Sequence, residues 1–439
     1  MKNNKKNTGK NICVITLGCF KNTVDSERLM KQLSVNNFRL VDDASRADTV
    51  IINTCGFIRA AKEEAVDTIL DAVRLKEHGD IKKIIVFGCL AQRYRAELFK
   101  DIPEVDAYFG VESYREIIEN LGGEIKKDNL LERKIPDSNH SAFLKISEGC
   151  SNRCSYCSIP NIRGPYRSRR MSGLLKETEL LAQNNIKELI IIGQDTTNYG
   201  VDIYGKRKLD ELLEKISRIS GIEWIRLMYA HPAHFELKII NSIKSNPKMC
   251  RYIDIPLQHI SDNILKSMNR KITSKQIREL INRIRKDIPD IILRTTFMVG
   301  YPGETEDDFQ KLCRFVKEIQ FDRLGVFTYS AEEGTKSYKY KDTVSEKVKK
   351  ERQALIMDIQ REISYKKNRK LLGSVMKVII EGYEGSETGG FYIGRSMGHA
   401  PEIDGNILIK TNKKRIKTGG FYDVSIYDCN EYDLFGNME

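Results

Sequence analysis

The sequence predicts an α/β protein in three parts: an N-terminal parallel α/β sheet domain, a central (partial) β/α barrel and a small C-terminal all-β barrel. Three observations predict it. Aliphatic runs alternate with helical patterns over the first third of the chain. About six further strand–helix units follow a polar, linker-like stretch at 128–140 and contain no dinucleotide fingerprint. From residue 373 the pattern changes to short β-like runs separated by Gly, Asn and Asp. The expected domains are 11–130, 136–372 and 373–439, in keeping with a chain of 439 residues, too long for one ordinary domain.

In the first domain the strands are expected at 12–17, 49–53 and 84–87, with helical patterns such as 24–33 and 60–75 between them. A cysteine follows each strand almost at once: Leu17-Gly18-Cys19, Asn53-Thr54-Cys55 and Phe87-Gly88-Cys89. Parallel neighbours bring their carboxyl ends together, where open α/β sheets bind ligands, so these three thiols can meet. Each one alone reads equally well as a small buried residue at a strand end.

The barrel series starts with 142–147 and continues with strand candidates at 188–192, 225–229, 252–255, 291–297 and 324–329. A charged helix over 344–372 closes it, and β runs at 376–381, 391–395, 407–410 and 421–427 make up the last domain.

Composition narrows the function. No stretch approaches the roughly 20 apolar residues of a membrane span, and the Lys/Asn-rich start lacks a secretory h-region, so a cytoplasmic protein is expected. Ten cysteines in such a chain argue for metal or redox chemistry rather than a disulfide framework. The net charge of +12 suggests an acidic partner, subject to where the charge lies.

The most specific motif is Cys150-Ser151-Asn152-Arg153-Cys154-Ser155-Tyr156-Cys157, just after the first barrel strand. Three thiolates in one tight loop can hold three irons of a [4Fe–4S] cubane and leave the fourth open to an exogenous amine and carboxylate. Structural zinc needs a fourth protein ligand, for which nearby His140 is the candidate. Gly193-Gln194-Asp195 and Gly300-Tyr301-Pro302-Gly303-Glu304 each end a strand, where they read either as cofactor contacts or as ordinary βα turns. Pro256-Leu257-Gln258-His259 reads the same way, with His259 a structural histidine.

The cysteine loop resembles that of the radical S-adenosylmethionine (SAM) superfamily in full, Tyr156 included. The resemblance implies SAM chelated by the open iron, and its reductive cleavage to methionine and a 5′-deoxyadenosyl radical. It also implies SAM contacts at Tyr156, Gln194, Asp195, Gly300 and Gly303, and an electron donor such as a flavodoxin or ferredoxin. The order of the three parts resembles the methylthiotransferases within that superfamily. By that resemblance Cys19, Cys55 and Cys89 hold an auxiliary [4Fe–4S] cluster, Cys150, Cys154 and Cys157 hold the SAM-chelating one, and the last domain is a TRAM barrel. No catalytic acid or base is assigned, and Cys13, Cys250, Cys313 and Cys429 are expected to be structural.

Two branches of that family differ in substrate, one acting on an adenosine of tRNA and the other on an aspartate of a ribosomal protein. Cys19-Phe20-Lys21-Asn22-Thr23-Val24-Asp25-Ser26-Glu27 and Cys55-Gly56-Phe57-Ile58 resemble the second, although Phe20 stands where proline is common. Charge gives a separate argument. Residues 373–439 hold 7 Lys/Arg and 10 Asp/Glu, a net of −3, which leaves +15 for the rest. A domain that grips RNA phosphates should be basic, whereas an acidic one suits a basic ribosomal protein. The expected activity is therefore methylthio transfer to the β-carbon of an aspartate in the small-subunit ribosomal protein of the decoding centre. The rivals are methylthiolation of tRNA adenosine and a non-catalytic iron–sulfur protein that binds RNA. The basic run 413–417 keeps RNA contact open.

Overall fold

The computed structural model describes residues 9–136, 138–386, 389–411 and 416–438. The N-terminal sheet has five parallel strands in the spatial order Arg39–Leu40, Asn11–Thr16, Thr49–Thr54, Lys83–Gly88 and Ala107–Tyr108. Val50, Ile51 and Ile52 are buried on both faces, as strands covered by helices on either side require. Register fixes the strand ends level with one another: Thr16 pairs with Asn53, and Asn53 with Phe87.

The central domain is an open parallel sheet of six strands that neighbour one another in chain order: Ser141–Lys145, Glu188–Ile192, Trp224–Leu227, Met249–Asp254, Ile292–Val299 and Arg323–Thr328. Its outer face packs on helices Met171–Gln183, Leu209–Ser217, Leu237–Ser245, Ser274–Asp287 and Glu306–Ile319 in the largest apolar cluster. The helix Glu346–Arg369 packs along the last strand, Arg323–Thr328.

The C-terminal domain is a closed barrel of five strands: Val375–Ser386, Gly389–Ser396, Ile407–Lys410, Leu434–Met438 and Phe421–Cys429. The strand Leu434–Met438 is absent from the sequence-based expectation. It is short and follows a turn-rich Asn430-Glu431-Tyr432-Asp433 run, and it gains strand structure by pairing on both sides. Of the basic run 413–417, residues 413–415 lie outside the described residues.

The three domains share one apolar cluster. Val24 and Phe20 come from the N-terminal helix Phe20–Val35, Phe143, Ile190, Trp224 and Tyr252 from inside the central sheet, and Ile379, Ala400 and Phe421 from the last barrel. Phe20 stacks on Phe143 at 4.2 Å between ring centroids, and Trp224 meets Phe421 edge-on at 4.8 Å. Among the described residues no helix is long and apolar enough to cross a membrane.

Candidate active site

The level strand ends carry the first three cysteines to one place. Cys19 is the N-cap of helix Phe20–Val35, Cys89 opens helix Cys89–Asp101, and Cys55 follows the strand Thr49–Thr54. Two helix N-termini thus turn their positive dipole ends towards the site. Close approach is built in. Gly18 has φ +89°, and a Cβ there would lie 2.6 Å from Cys55 Cβ. Gly88 has φ +102°, and a Cβ would lie 2.5 Å from Asn53 Oδ1. Asn22 lies beneath the trio: its amide donates to Leu17 O (2.8 Å) and Thr54 O (3.2 Å), and its Oδ1 is 3.9 Å from Cys89 Sγ. Burial raises the Cys55 thiol and pushes Cys89 up to about 12, and the charges of the other cysteines of the trio add to the effect. Buried thiols that resist ionisation in one another's company fit a cationic metal centre, which would supply the missing positive charge.

The second triad lies in the loop after Ser141–Lys145. The loop is pinned by Cys150 N–H to Gly164 O (3.1 Å), Ser155 N–H to Met268 O (3.0 Å) and Cys157 N–H to Cys154 O (3.1 Å). Arg153 takes φ +53°, which turns the chain sharply between the cysteines. Burial pushes Cys150 up to about 11 and Cys157 to about 12, and Arg270 opposes this with a guanidinium N–H 3.5 Å from Cys154 Sγ. The three cysteines of the loop lie close enough for the charges of Cys150 and Cys154 to act on Cys157. His140 is not a fourth donor, because it precedes the strand and packs against Gly419 of the C-terminal barrel. The zinc ligand set considered from the sequence is therefore not assembled.

The residues expected at the SAM pocket fall into two groups. Gln194 and Asp195 border the cysteine loop: Asn152 donates to Asp195 Oδ2 (2.8 Å), and Gln194 Nε2 donates to Glu148 Oε1 (2.9 Å). Gln194 Oε1 is buried with no hydrogen-bond partner among the described residues, as is His231 Nε2. Unpaired polar atoms beside an iron-binding loop suit a polar ligand such as the methionyl or ribose part of SAM. Burial opposes the charge of Asp195, but His234 (3.0 Å), His231 and Thr197 outweigh it and hold the carboxyl near 2. Tyr156 packs against the cluster of Met268, Tyr301 and Tyr329.

Gly300 and Gly303, by contrast, shape a turn. Gly300 has φ +74° and lies against the Lys349 stem, while the Gly300 and Tyr301 amides donate to Glu304 Oε2 (2.7 and 3.2 Å). That turn reaches the cysteine loop through Tyr301, whose hydroxyl is 2.8 Å from Ser155 Oγ. His259 is fully buried, accepts from Ser261 N–H at Nδ1 (2.9 Å) and is kept neutral by burial, with its pKa lowered to about 4.

Sequence reasoning missed the charged layer between the two triads. Arg163 donates to Asn22 Oδ1 (2.6 Å), Asp25 Oδ2 (3.2 Å) and Glu148 Oε1 (3.0 Å). Lys145 bridges Asp25 and Glu148, and Tyr114 OH donates to Asp25 Oδ1 (2.8 Å). This layer joins the residue beneath Cys89 to the strand that leads into Cys150. A signal was present: Lys145 interrupts the apolar run Phe143-Leu144-Lys145-Ile146, and a buried lysine calls for a partner.

Three converging thiols at the carboxyl end of an open parallel β/α barrel, beside unpaired polar groups, define a radical SAM enzyme. Residues 144–316 match the radical SAM superfamily, residues 11–110 the uncharacterized protein family UPF0004 and residues 372–438 the TRAM domain. The ribosomal protein uS12 methylthiotransferase RimO of Thermoanaerobacter sp. (strain X514) is 47% identical to this chain, covering 97% of it and 99% of the relative. That of Phocaeicola vulgatus is 45% identical, covering 99% and 100%. The chain belongs to the RimO family of radical SAM methylthiotransferases. Membership of the superfamily brings SAM and a [4Fe–4S] cluster as cofactors. Among solved structures, the radical SAM methyltransferase TsrM from Kitasatospora setae shares the fold (TM-score 0.54, 13% identity, 72% of this chain and 73% of that one). So does the cobalamin-dependent SAM radical enzyme OxsB (TM-score 0.51, 15% identity, 80% and 56%).

Proposed function

We propose that this chain attaches a methylthio group to the β-carbon of one aspartate of ribosomal protein uS12, using two [4Fe–4S] clusters. Cys150, Cys154 and Cys157 would hold the cluster that binds SAM, and Cys19, Cys55 and Cys89 the auxiliary one. The observation that carries this reading is the presence of two separate cysteine triads, each at the carboxyl end of its own parallel sheet, joined by the buried Asn22–Arg163–Glu148 layer. When bound, the first cluster and SAM supply a carbon radical, and the second presents sulfur.

The chain's own residues orient and shield. Arg270 donates to Cys154 Sγ (3.5 Å) and, from its other terminal nitrogen, to Pro256 O (2.5 Å), which links the loop to the barrel rim. Asp195, oriented by Asn152, Asn198 and His234, and the free Oε1 of Gln194 offer acceptors for the amine and hydroxyls of SAM. Phe143, Ile190, Trp224 and Tyr252 pack as a buried apolar cluster inside the central sheet and shield the site on that side from water. A flavodoxin or ferredoxin would deliver electrons. The acidic C-terminal barrel suits a basic ribosomal protein, and the basic run 413–417 leaves room for an RNA contact beside it.

Iron and sulfide content tests the cluster assignment. Each triple Cys→Ala variant is expected to lose about half the iron of the reconstituted wild type, and full retention by either one would end the two-cluster reading. Incubation with SAM, sulfide and either uS12 or tRNA tests the substrate. A mass gain on uS12 is expected, and a gain on tRNA alone would overturn it.

A further inference from the structure

Buried cations in this molecule come with carboxylates. Lys145 pairs with Asp25 and Glu148, Arg163 with the same two, Arg226 and Arg395 with Glu188, and Arg294 with Asp254. Arg270 has Cys154 Sγ (3.5 Å) and Pro256 O (2.5 Å) in place of a carboxylate, and among the described residues Lys21 has neither. It is only 7% exposed, yet among the described residues its ammonium forms no ion pair and no hydrogen bond. It rests 3.2 Å above the ring of Tyr229, at the carboxyl end of the barrel strand Trp224–Leu227. The neighbouring carboxylates are committed elsewhere. Asp254 accepts from Arg294 (2.8 Å) and Tyr229 N–H (3.0 Å), and Glu148 is held by Lys145 (2.6 Å) and Arg163 (3.0 Å).

A cation–π contact offsets only part of the cost of desolvating an ammonium, and it leaves the N–H donors unused. The position is also informative. Lys21 is the second residue of the helix that Cys19 caps, and its head reaches the mouth of the barrel that carries Cys150. Against burial, the Cys19 thiol and the carboxyls of Asp254 and Glu148 favour its charge, but among the described residues none of them hydrogen-bonds it, so its N–H donors stay free between the helix of Cys19 and the barrel strand that leads to Tyr229.

We propose that Lys21 binds the side-chain carboxylate of the substrate aspartate and so selects a carboxylate-bearing residue. This rests on the uS12 reading above. A carboxylate one bond from the β-carbon, anchored on Lys21, leaves that carbon facing the barrel on one side and the auxiliary site on the other. A neutral substrate group would leave the ammonium without a charged acceptor, which is a basis for rejection.

The test is binding of purified uS12, and of uS12 with its target aspartate changed to Asn, to the reconstituted holoenzyme. Wild type is expected to bind the Asp form about tenfold to hundredfold more tightly than the Asn form, the range for a hydrogen bond to a charged group. Lys21→Met should bind both forms equally at the weaker level, and Lys21→Arg should restore part of the preference. Iron content is measured on each variant. A wild type indifferent to Asp or Asn overturns the proposal without recourse to any variant. So does a Lys21→Met enzyme that keeps the preference, or one whose only defect is lost iron. If wild type modifies no uS12 at all, the substrate reading falls. If it modifies uS12 while Lys21→Met still discriminates, Lys21 alone is wrongly assigned.

Discussion

The Phe20 ring lies flat on that of Phe143, centroids 4.2 Å apart and planes within 15°, joining the helix after Cys19 to the strand that leads to Cys150. This explains a phenylalanine where proline is common. The aromatic face trades the rigidity of a proline for a contact across the domain boundary. Phe143→Ala should cost about 3–5 kcal/mol by loss of a buried ring. A double-mutant cycle with Phe20→Ala, read by urea unfolding, should give a coupling of about 0.5–1.5 kcal/mol. A coupling near zero would mean that the stack carries no docking energy.

Glu188 ties the central sheet to the C-terminal barrel through Arg395 (2.7 Å) and also accepts from Arg226 of the neighbouring central strand (2.8 Å), all three side chains being buried. Burial pushes its carboxyl up, but Arg395 and Arg226 outweigh burial and hold it at about 2, against an ordinary value of 4.5. Because the folded value is the lower one, the folded state binds fewer protons. The contribution is complete above about pH 4.5 and is lost as pH falls from there towards 2. Acid titration of wild type and Glu188→Gln, followed by tyrosine fluorescence, should show a shallower loss of stability in that window for the variant. At neutral pH the variant should be less stable by about 3–5 kcal/mol, since Arg226 loses its counter-charge and Arg395 keeps only Glu381. Parallel acid curves would refute the assignment.

Gly18→Ala should disturb the N-terminal triad. The position has φ +89°, and the new methyl would lie 2.6 Å from Cys55 Cβ, so either the loop or the cysteine must move. Reconstituted Gly18→Ala is expected to lose iron from that triad and keep the iron of the other. Gly173→Ala is the control, since its Cβ meets nothing within 4 Å and it sits inside helix Met171–Gln183. It should keep full iron and gain up to about 1 kcal/mol in stability.

Arg163→Met removes the cation shared by Asn22, Asp25 and Glu148. A loss of about 3–5 kcal/mol is expected in denaturant unfolding, because two buried carboxylates then share Lys145 as their one cation among the described residues. Arg163→Lys should recover only part of it, since an ammonium cannot span three acceptors in one plane. Full recovery would show that charge alone matters there.

Much of this was legible beforehand because local signals agreed with one another. The strand Glu188–Ile192 and the strand Ile407–Lys410 fall on their expected residues, since each is an aliphatic run bounded by turn formers. Both cysteine triads could be placed for the same reason. What could not be read depends on contacts distant in sequence. Lys145 and Asp25 are 120 positions apart, and Arg395 and Glu188 are 207 apart, so no local pattern marks them as partners. The strand Leu434–Met438 owes its structure to its two neighbours rather than to its composition. Gly300 and Gly303 show the converse: a motif visible in sequence whose structural work is a turn braced on Glu304.

The apolar cluster built jointly by Val24, Trp224, Ile379 and Phe421 also bears on how the molecule comes apart. Domains with private cores melt one at a time, whereas domains that lend side chains to a common core expose it together. Scanning calorimetry should accordingly record one heat-absorption peak. A protease cut in the connector near residue 136 would free neither half as a stable fragment, because each would carry away part of the other's interior.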